Sequence, residues 1–243
     1  MTDGTDRFSP THPPLISPHL GSATWHELLP RTPRPLLLVP VGSCEQHGPH
    51  LPLDTDMRIA MALCEGMLAS FEPDDVLIAP PLAVSASGEH AGFPGTLSLG
   101  TEVFQQVIIE LVRSADWSSG VVLVNGHGGN ASAVNRAVSK LRGEGRKVLA
   151  WWPTIVDGDA HAGNTETSLM MAIAPHLVRR DRIEIGNTAP IASLADQLMS
   201  NGVRAVSDNG ILGDPTHASS RHGKSLLTRL TIDLVSAVDE WWE

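Results

Sequence analysis

Cysteine is almost absent from this sequence: Cys44 and Cys64 stand alone, too few for a disulfide framework. Charge is sparse at 18%, and 17 Lys+Arg against 27 Asp+Glu give a formal net charge of −10. Lysine itself occurs three times. Nucleic acid and anionic membrane surfaces both require clustered cations, so neither is expected as a partner. No apolar run approaches the ~18 residues that a membrane-spanning helix needs. The opening MTDGTDRFSPTHPP is polar and Pro-rich, without the charged-then-apolar layout of a signal peptide. These absences leave a soluble, acidic, cytoplasmic protein as the expectation.

What is present narrows the class. At 243 residues and 42% apolar, the chain makes one ordinary domain or at most two small ones, and it is too hydrophobic to stay disordered. Tyrosine is missing and phenylalanine occurs four times, yet there are eleven histidines. Histidine is the commonest metal ligand and the usual acid–base group near neutral pH. Many of these histidines adjoin Gly, Asp or Glu rather than lying in apolar faces.

After a tail (1–20) expected to be mobile, short apolar runs alternate with amphipathic stretches. Strands are expected over 35–42 and 120–125, read as buried, over 76–84 (a strand and its exit) and over 147–153. Helices are expected over 54–70, capped by Asp54 or Thr55, and over 101–115, with Val103, Val107, Leu111 and Val112 as the apolar stripe. Further helices are read over 131–145, 166–174 and about 219–241, the last with Leu227, Leu230, Leu234 and Val238 in register. Alternating strands and helices imply an α/β fold, a mostly parallel sheet covered on both sides. In such sheets ligands bind beyond the carboxyl ends of the strands.

Each histidine-bearing loop follows an expected strand. GSCEQHGPHLPLDTD (42–56) carries Glu45, His47, His50, Asp54 and Asp56, which can converge if the turn folds back. Mixed oxygen and nitrogen donors suit Zn, Fe, Mn or Ni better than Ca or Mg. The bland alternative is a solvated loop whose acids cap the next helix, a role that fits Asp54. His50 stays open between a contact to a ligand and a plain loop histidine. NGHGGN (125–130) presents His127 at a strand end; its glycines could instead cradle a phosphate, although no Walker lysine or dinucleotide fingerprint accompanies them. DGDAHAGNTETS (157–168) offers Asp157, Asp159, His161 and Glu166, with Thr165 as a helix cap and Glu166 otherwise a first-turn dipole residue. A fourth loop, 85–100, carries Glu89 and His90 as pocket wall, and Trp151, Trp152 and Phe93 are further wall candidates.

The ordered set EQHGPHLPLDTD, NGHGGN and DAHAGNTETS resembles the creatininase family of metal-dependent amidohydrolases, over roughly residues 20 to 240. The resemblance implies a three-layer α/β/α sandwich over 21–243, a divalent metal pair (Fe(II) and/or Zn(II), with Mn possible) and a homo-oligomer such as a hexamer. It implies Glu45 and His47 as ligands of separate metals, Asp56 as the bridging carboxylate, His127 as a further ligand, Glu166 as a ligand or metal-proximal carboxylate, and His161 as the acid–base residue. A metal-held water, acidified from ~16 toward ~7, would attack an amide carbonyl, and His161 would protonate the leaving nitrogen. The stretches DAHAGNTETS, GNTAP (186–190) and SDNGILGDPTHAS (207–219) resemble the family's peptidase branch. That branch implies a modified ribosomal peptide as substrate, cut just before its modified C-terminal pair during redox-cofactor maturation, with loops 85–100 and 207–219 walling the groove. The alternatives are a small cyclic amide or formamide, or a non-catalytic metal-binding scaffold. Two positions depart from the family: Gly129 stands where creatininase has an acidic ligand, and Cys44 where relatives often have Thr.

Overall fold

The computed structural model describes residues 15–29, 31–156 and 158–242. Residues 1–14 of the expected tail, and Asp157, lie outside the described residues. Strands β1 (Leu36–Val41), β2 (Val76–Ile78), β3 (Gly120–Asn125) and β4 (Val148–Trp151) form a four-stranded, wholly parallel sheet in the order β2-β1-β3-β4. The connections are helices α1 (Thr55–Met67), α2 (Thr101–Ser114) and α3 (Ala131–Gly143), followed by α4 (Asn164–Ile173), α5 (Ile191–Asn201) and α6 (Ser220–Trp242).

Side-chain alternation along the buried strands builds two cores. Leu36, Leu38, Val122 and Val124 face Leu63, Met67, Met170, Leu230 and Leu234 of α1, α4 and α6. Leu37, Val39, Val41 and Leu123 face Phe104, Ile108, Val134 and Leu141 of α2 and α3. Helix layers therefore cover both faces, the expected three-layer arrangement.

The strand order fixes where a site can form. From β1 the chain moves outward to β2, crosses back to β3 and then moves outward to β4, so the connections diverge between β1 and β3. A crevice opens at such a switch point, beyond the carboxyl ends of the strands. Val41 and Asn125 pair as the last residues of these two strands, so their loops leave the same edge at the same level. Helix α1 returns across this edge at close range. A Cβ on Gly42 would collide with the Met57 backbone, and one on Gly126 would lie 2.6 Å from the Asp56 carbonyl. Glycine at both positions is what lets the first turn of α1, and with it Asp56, enter the crevice.

Several local expectations are corrected. The apolar stripe of α2 is Phe104, Ile108, Ile109 and Val112, while Val103 is 54% exposed. Asp54 sits at the N-cap position of α1 without a capping hydrogen bond; its carboxylate instead clamps Arg58 at 2.7 and 2.8 Å. Thr165 is not the cap of α4, which starts at Asn164; the Asp159 carboxylate accepts from the amides of Asn164 and Thr165. Regular β2 pairing ends at Ile78, because Pro80 and Pro81 lack the amides to continue it, although Leu82 still bonds the Pro40 carbonyl at 2.9 Å. Residues 15–20 lie against the domain: the Ile78 amide donates to the Pro18 carbonyl at 2.8 Å, and the Leu15 amide to Asp74 at 3.0 Å. Helix α5, absent from the sequence reading, buries none of its residues.

The α2 correction is testable. Phe104→Ala is expected to destabilise by about 3–5 kcal/mol, the scale for emptying a fully buried aromatic site. Val103→Ala should stay within about 0.5 kcal/mol. Urea unfolding of the two variants measures the difference, and equal effects would restore Val103 to the core.

Candidate metal centre

The first loop folds back as its composition allowed. The Glu45 amide donates to the Leu53 carbonyl at 3.0 Å, and the Leu51 amide to the His47 carbonyl at 3.3 Å. This closure brings Glu45, His47 and Asp56 together beneath the end of β1. His47 Nδ1 lies 3.1 Å from the Glu45 backbone carbonyl, which can only accept, so Nδ1 carries a proton and Nε2 faces the crevice. There Nε2 is 2.9 Å from Asp56 Oδ1 and 3.8 Å from Glu166 Oε2. Ser43 Oγ donates to the other oxygen of Asp56 at 2.7 Å.

The β3 loop is pinned by asparagines. Asn125 donates to the His127 carbonyl at 2.6 Å, and Asn130 links Gly42, Asn125 and the Ala86 amide, tying three loops together. His127 then stands with Nδ1 3.3 Å from Asp56 Oδ2, and with Nε2 3.2 Å from Glu45 Oε2 and 3.2 Å from Glu89 Oε1. From the fourth strand's loop, His161 Nε2 donates to the Gln46 carbonyl at 2.8 Å, leaving Nδ1 3.8 Å from Glu45. Glu166 accepts from the Ala162 amide at 2.6 Å.

Burial makes the electrostatics severe. Glu45, His47 and Asp56 are 0%, 0% and 1% exposed. Burial alone would lower the His47 pKa, but the Asp56 carboxylate against its ring overrides this and raises it to about 10. His127 is likewise raised well above its ordinary value, burial being outweighed by Glu45 and Asp56. Asp56 is held well below the usual carboxylate range, its desolvation outweighed by His47 and His127. Glu166 moves up to about 7, chiefly through burial and then Asp56. Burial followed by the charge of His47 takes His161 down to about 4, and burial takes His90 to about 2 and His50 to about 4.

The donors suit a divalent metal. Glu45, Asp56 and His127 form one group of converging ligand atoms, His47, His161 and Glu166 a second, and Glu45, His90 and His161 a third, with each group's atoms within 4.8 Å of one another. Both oxygens of the buried Glu45 lack a hydrogen-bond partner, the condition of a carboxylate shaped for a cation rather than for protein donors. Carboxylate and imidazole together fit Zn, Fe or Mn.

All five expected ligands, Glu45, His47, Asp56, His127 and Glu166, meet here, with Asp56 touching both His47 and His127. His161 is closer than a bystander, since it shares a group with His47 and Glu166. His90 belongs to the cluster rather than to the wall alone, 3.3 Å from Glu45 and 2.9 Å from the Gln46 amide nitrogen. The only sequence signal for it was a second Glu-His pair in a strand-end loop. His50 donates to or accepts from Thr167 at 2.8 Å, fastening the first loop to α4. Cys44 points at the Gly95 carbonyl, away from the centre. Trp151 is core, bonded to Asp233 at 2.9 Å.

A cavity of about 830 Å3 opens above the cluster. The 85–100 loop lines it as expected, through Ala86 to Gly92. The other wall is α5 and the turn after it, while the 207–219 stretch contributes Leu212 alone. A smaller hollow of about 230 Å3, bounded by Trp152 and Asp159, reaches His127 and Glu166 from the other side.

Fold and donor set together define an α/β domain with a candidate metal centre at the switch point of its sheet, and comparison with known proteins gives the family. Residues 21–238 match the family described as Creatininase, creatinine amidohydrolase. A mycofactocin precursor peptide peptidase of Mycolicibacterium smegmatis is 47% identical over 227 residues, covering 91% of both chains. A creatinine amidohydrolase of Pseudomonas putida is 31% identical over 201 residues, 68% of this chain and 75% of its own. Among solved structures, a tryptophan-to-phenylalanine mutant creatininase superposes with a TM-score of 0.77 at 26% identity, covering 92% of this chain and 98% of its own. A Zn-Zn type of another creatininase mutant gives 0.76 at 26% identity, with 93% and 98% covered. The chain belongs to the creatininase family and is a hydrolase. No helix among the described residues is long and apolar enough to cross a membrane.

The two raised histidines carry a prediction. His47 titrates at about 10 against an ordinary 6.5, so the metal-free protein holds this stabilisation below pH 6.5 and loses it as pH rises toward 10. Metal ligation needs neutral imidazole, so loading at pH 7 should release on the order of two protons, from His47 and His127. Calorimetric titration with Zn(II) in buffers of different ionisation enthalpy counts them. Zero proton release, or a melting temperature of stripped protein that is flat from pH 7 to 10, contradicts the assignment.

Proposed function

We propose that this chain is a metal-dependent peptidase that cuts a modified ribosomal precursor peptide at the amide just before its modified C-terminal pair. The observation that carries the reading is the gathering of carboxylate and imidazole donors into converging groups beside an 830 Å3 cavity, which His127 and His161 line and which is large enough for a peptide end. The 47% identity with a mycofactocin precursor peptide peptidase supports the substrate class, and a cytoplasmic homo-oligomer is the setting we assign.

In this reading Glu45, Asp56 and His127 hold one metal and His47 and Glu166 the other, with Asp56 between them. Fe(II), Zn(II) or Mn(II) bound there would acidify a water and polarise the scissile carbonyl. The chain's own residues do the rest. The Gln46 carbonyl fixes the proton on Nε2 of His161 and keeps Nδ1 directed into the cluster. Burial keeps this imidazole neutral, so Nδ1 can take the proton of the attacking water and return it to the leaving nitrogen. The reaction centre alone scarcely discriminates between amides, so selection falls to the cavity walls. Those walls are mixed: Leu198, Met199 and Val203 are apolar, and Arg204, packed over the Phe93 ring, is cationic. The 31% identity with a creatinine amidohydrolase keeps a small amide as the competing substrate.

Metal-loaded protein offered the unmodified precursor, the modified precursor and creatinine is expected to release only the modified C-terminal dipeptide, followed by mass spectrometry. Creatinine turnover with the modified peptide intact would refute the proposal. His161→Ala is expected to keep near-normal metal content while slowing turnover by roughly 10²–10⁴-fold. Metal loss matching that of His127→Ala would make His161 a ligand instead.

A further inference from the structure

We propose that Glu89, carried on the short turn Gly88–His90, is a metal ligand at the Glu45–Asp56–His127 group, and that residue 129 is glycine because the Glu89 carboxylate fills its side-chain space. The inference rests on the metal-centre reading above and adds a ligand from a separate loop. A Cβ built on Gly129 would collide with Glu89 Oε1 and His127 Nε2, and would lie 2.9 Å from the Ala86 carbonyl. A side chain at position 129 would have to displace this carboxylate, which arrives from across the crevice, and would press on the Ala86 backbone. That carboxylate lies 3.2 Å from His127 Nε2, the same separation that Glu45 Oε2 keeps from this nitrogen. Two acids therefore flank one imidazole nitrogen, and the buried oxygens of Glu45 have no hydrogen-bond partner.

An ionised carboxylate in this position needs a cation. Glu45, Asp56 and Glu89 each bring a carboxylate oxygen within 3.3 Å of a ring nitrogen of His127, and a divalent ion is the group that balances three acids gathered round one imidazole. The backbone supports this placement: the Ala86 amide is bonded to Asn130 at 3.1 Å, so the Glu89 turn is anchored to the loop that carries His127. The side chain is 30% exposed, toward the 830 Å3 cavity, which places this metal edge where substrate enters.

The test is metal binding by purified full-length protein, stripped and then titrated with Zn(II) against a chromophoric chelator, and separately with Co(II) followed by visible absorption. Glu89→Gln keeps the shape and removes the charge. It is expected to weaken one of two sites by at least about 10–100-fold, leave the other unchanged, and alter the Co(II) spectrum of the weakened site only. Glu89→Asp, which withdraws the carboxylate by one methylene, should give an intermediate loss. Stripped Glu89→Gln should melt at the wild-type temperature, so that a metal defect is not a folding defect. Wild-type affinities for both metals and an unchanged Co(II) spectrum in Glu89→Gln overturn the proposal. Wild-type protein that takes up no metal overturns both this inference and the peptidase reading. Loss of one site in Glu89→Gln, with no cleavage of the modified peptide by wild type, sustains the ligand and rejects the substrate.

Discussion

Two carboxylates buried beside each other at the end of an apolar sheet are the constraint on which this structure turns. Glu45 and Asp56 are essentially inaccessible to water. Each would cost several kcal/mol to bury as an isolated ion. Without metal the compensation comes from the charges of His47 and His127, which stand within 3.3 Å of these acids. The centre is therefore built for exchange, since two protons on imidazole can give way to divalent cations with the carboxylates left in place. A core made only to be stable would have no use for it: apolar residues of similar volume would serve as well or better.

The surrounding fold can be read as the means of bringing these charges together. Glu45 and His127, 82 positions apart in sequence, meet because β1 and β3 end level and side by side. The β4 loop adds His161, tied to Leu212 through backbone bonds at 2.8 and 3.2 Å, and α4 adds Glu166 from its first turn. Asp56 arrives from the opposite direction, on a helix start that glycines at 42 and 126 admit. The apolar sheet supplies rigidity and excludes water from one side, while the crevice leaves the other side open to the cavity.

Legibility from sequence followed the strength of the local signal. β1 and β3 are legible because continuous apolar runs such as LLLV and GVVLV read as strands buried on both faces, and the loops that carry the candidate ligands because they follow the strands directly. Val103 does not join the core because a helical stripe admits more than one phase, and only packing into the core shared with β1, β3 and α3 selects Phe104. Asp54 resembles a cap in sequence, but Arg58 four residues on competes for its carboxylate with a stronger, charge-assisted pair. Helix α5 was missed because its apolar residues face a cavity and solvent, Met199 being 80% exposed, so no buried stripe marks it. Glu89 and His90 are visible in the sequence only as loop residues; the approach of Glu89 to His127 and of His90 to Glu45 depends on a turn anchored by the long-range bond of the Ala86 amide to Asn130.

That turn joins recognition to chemistry. At Ala86 it is fixed to the floor of the site, where the backbone carbonyl lies 3.1 Å from His127 Nε2. Six residues later, at Gly92, its carbonyl accepts from Arg204 at 2.9 Å, on the turn that follows α5. Between the two anchors lie Glu89 and His90, both directed at the metal cluster. A ligand that displaced Arg204 or the end of α5 would load the same short segment that positions those side chains. Substrate contacts at the rim and ligand geometry at the floor are thus mechanically connected through seven residues of backbone, from Ala86 to Gly92. In the proposed reaction, where metals would scarcely distinguish one amide from another, this connection gives the cavity wall a physical route to influence which bound amide meets a correctly assembled site.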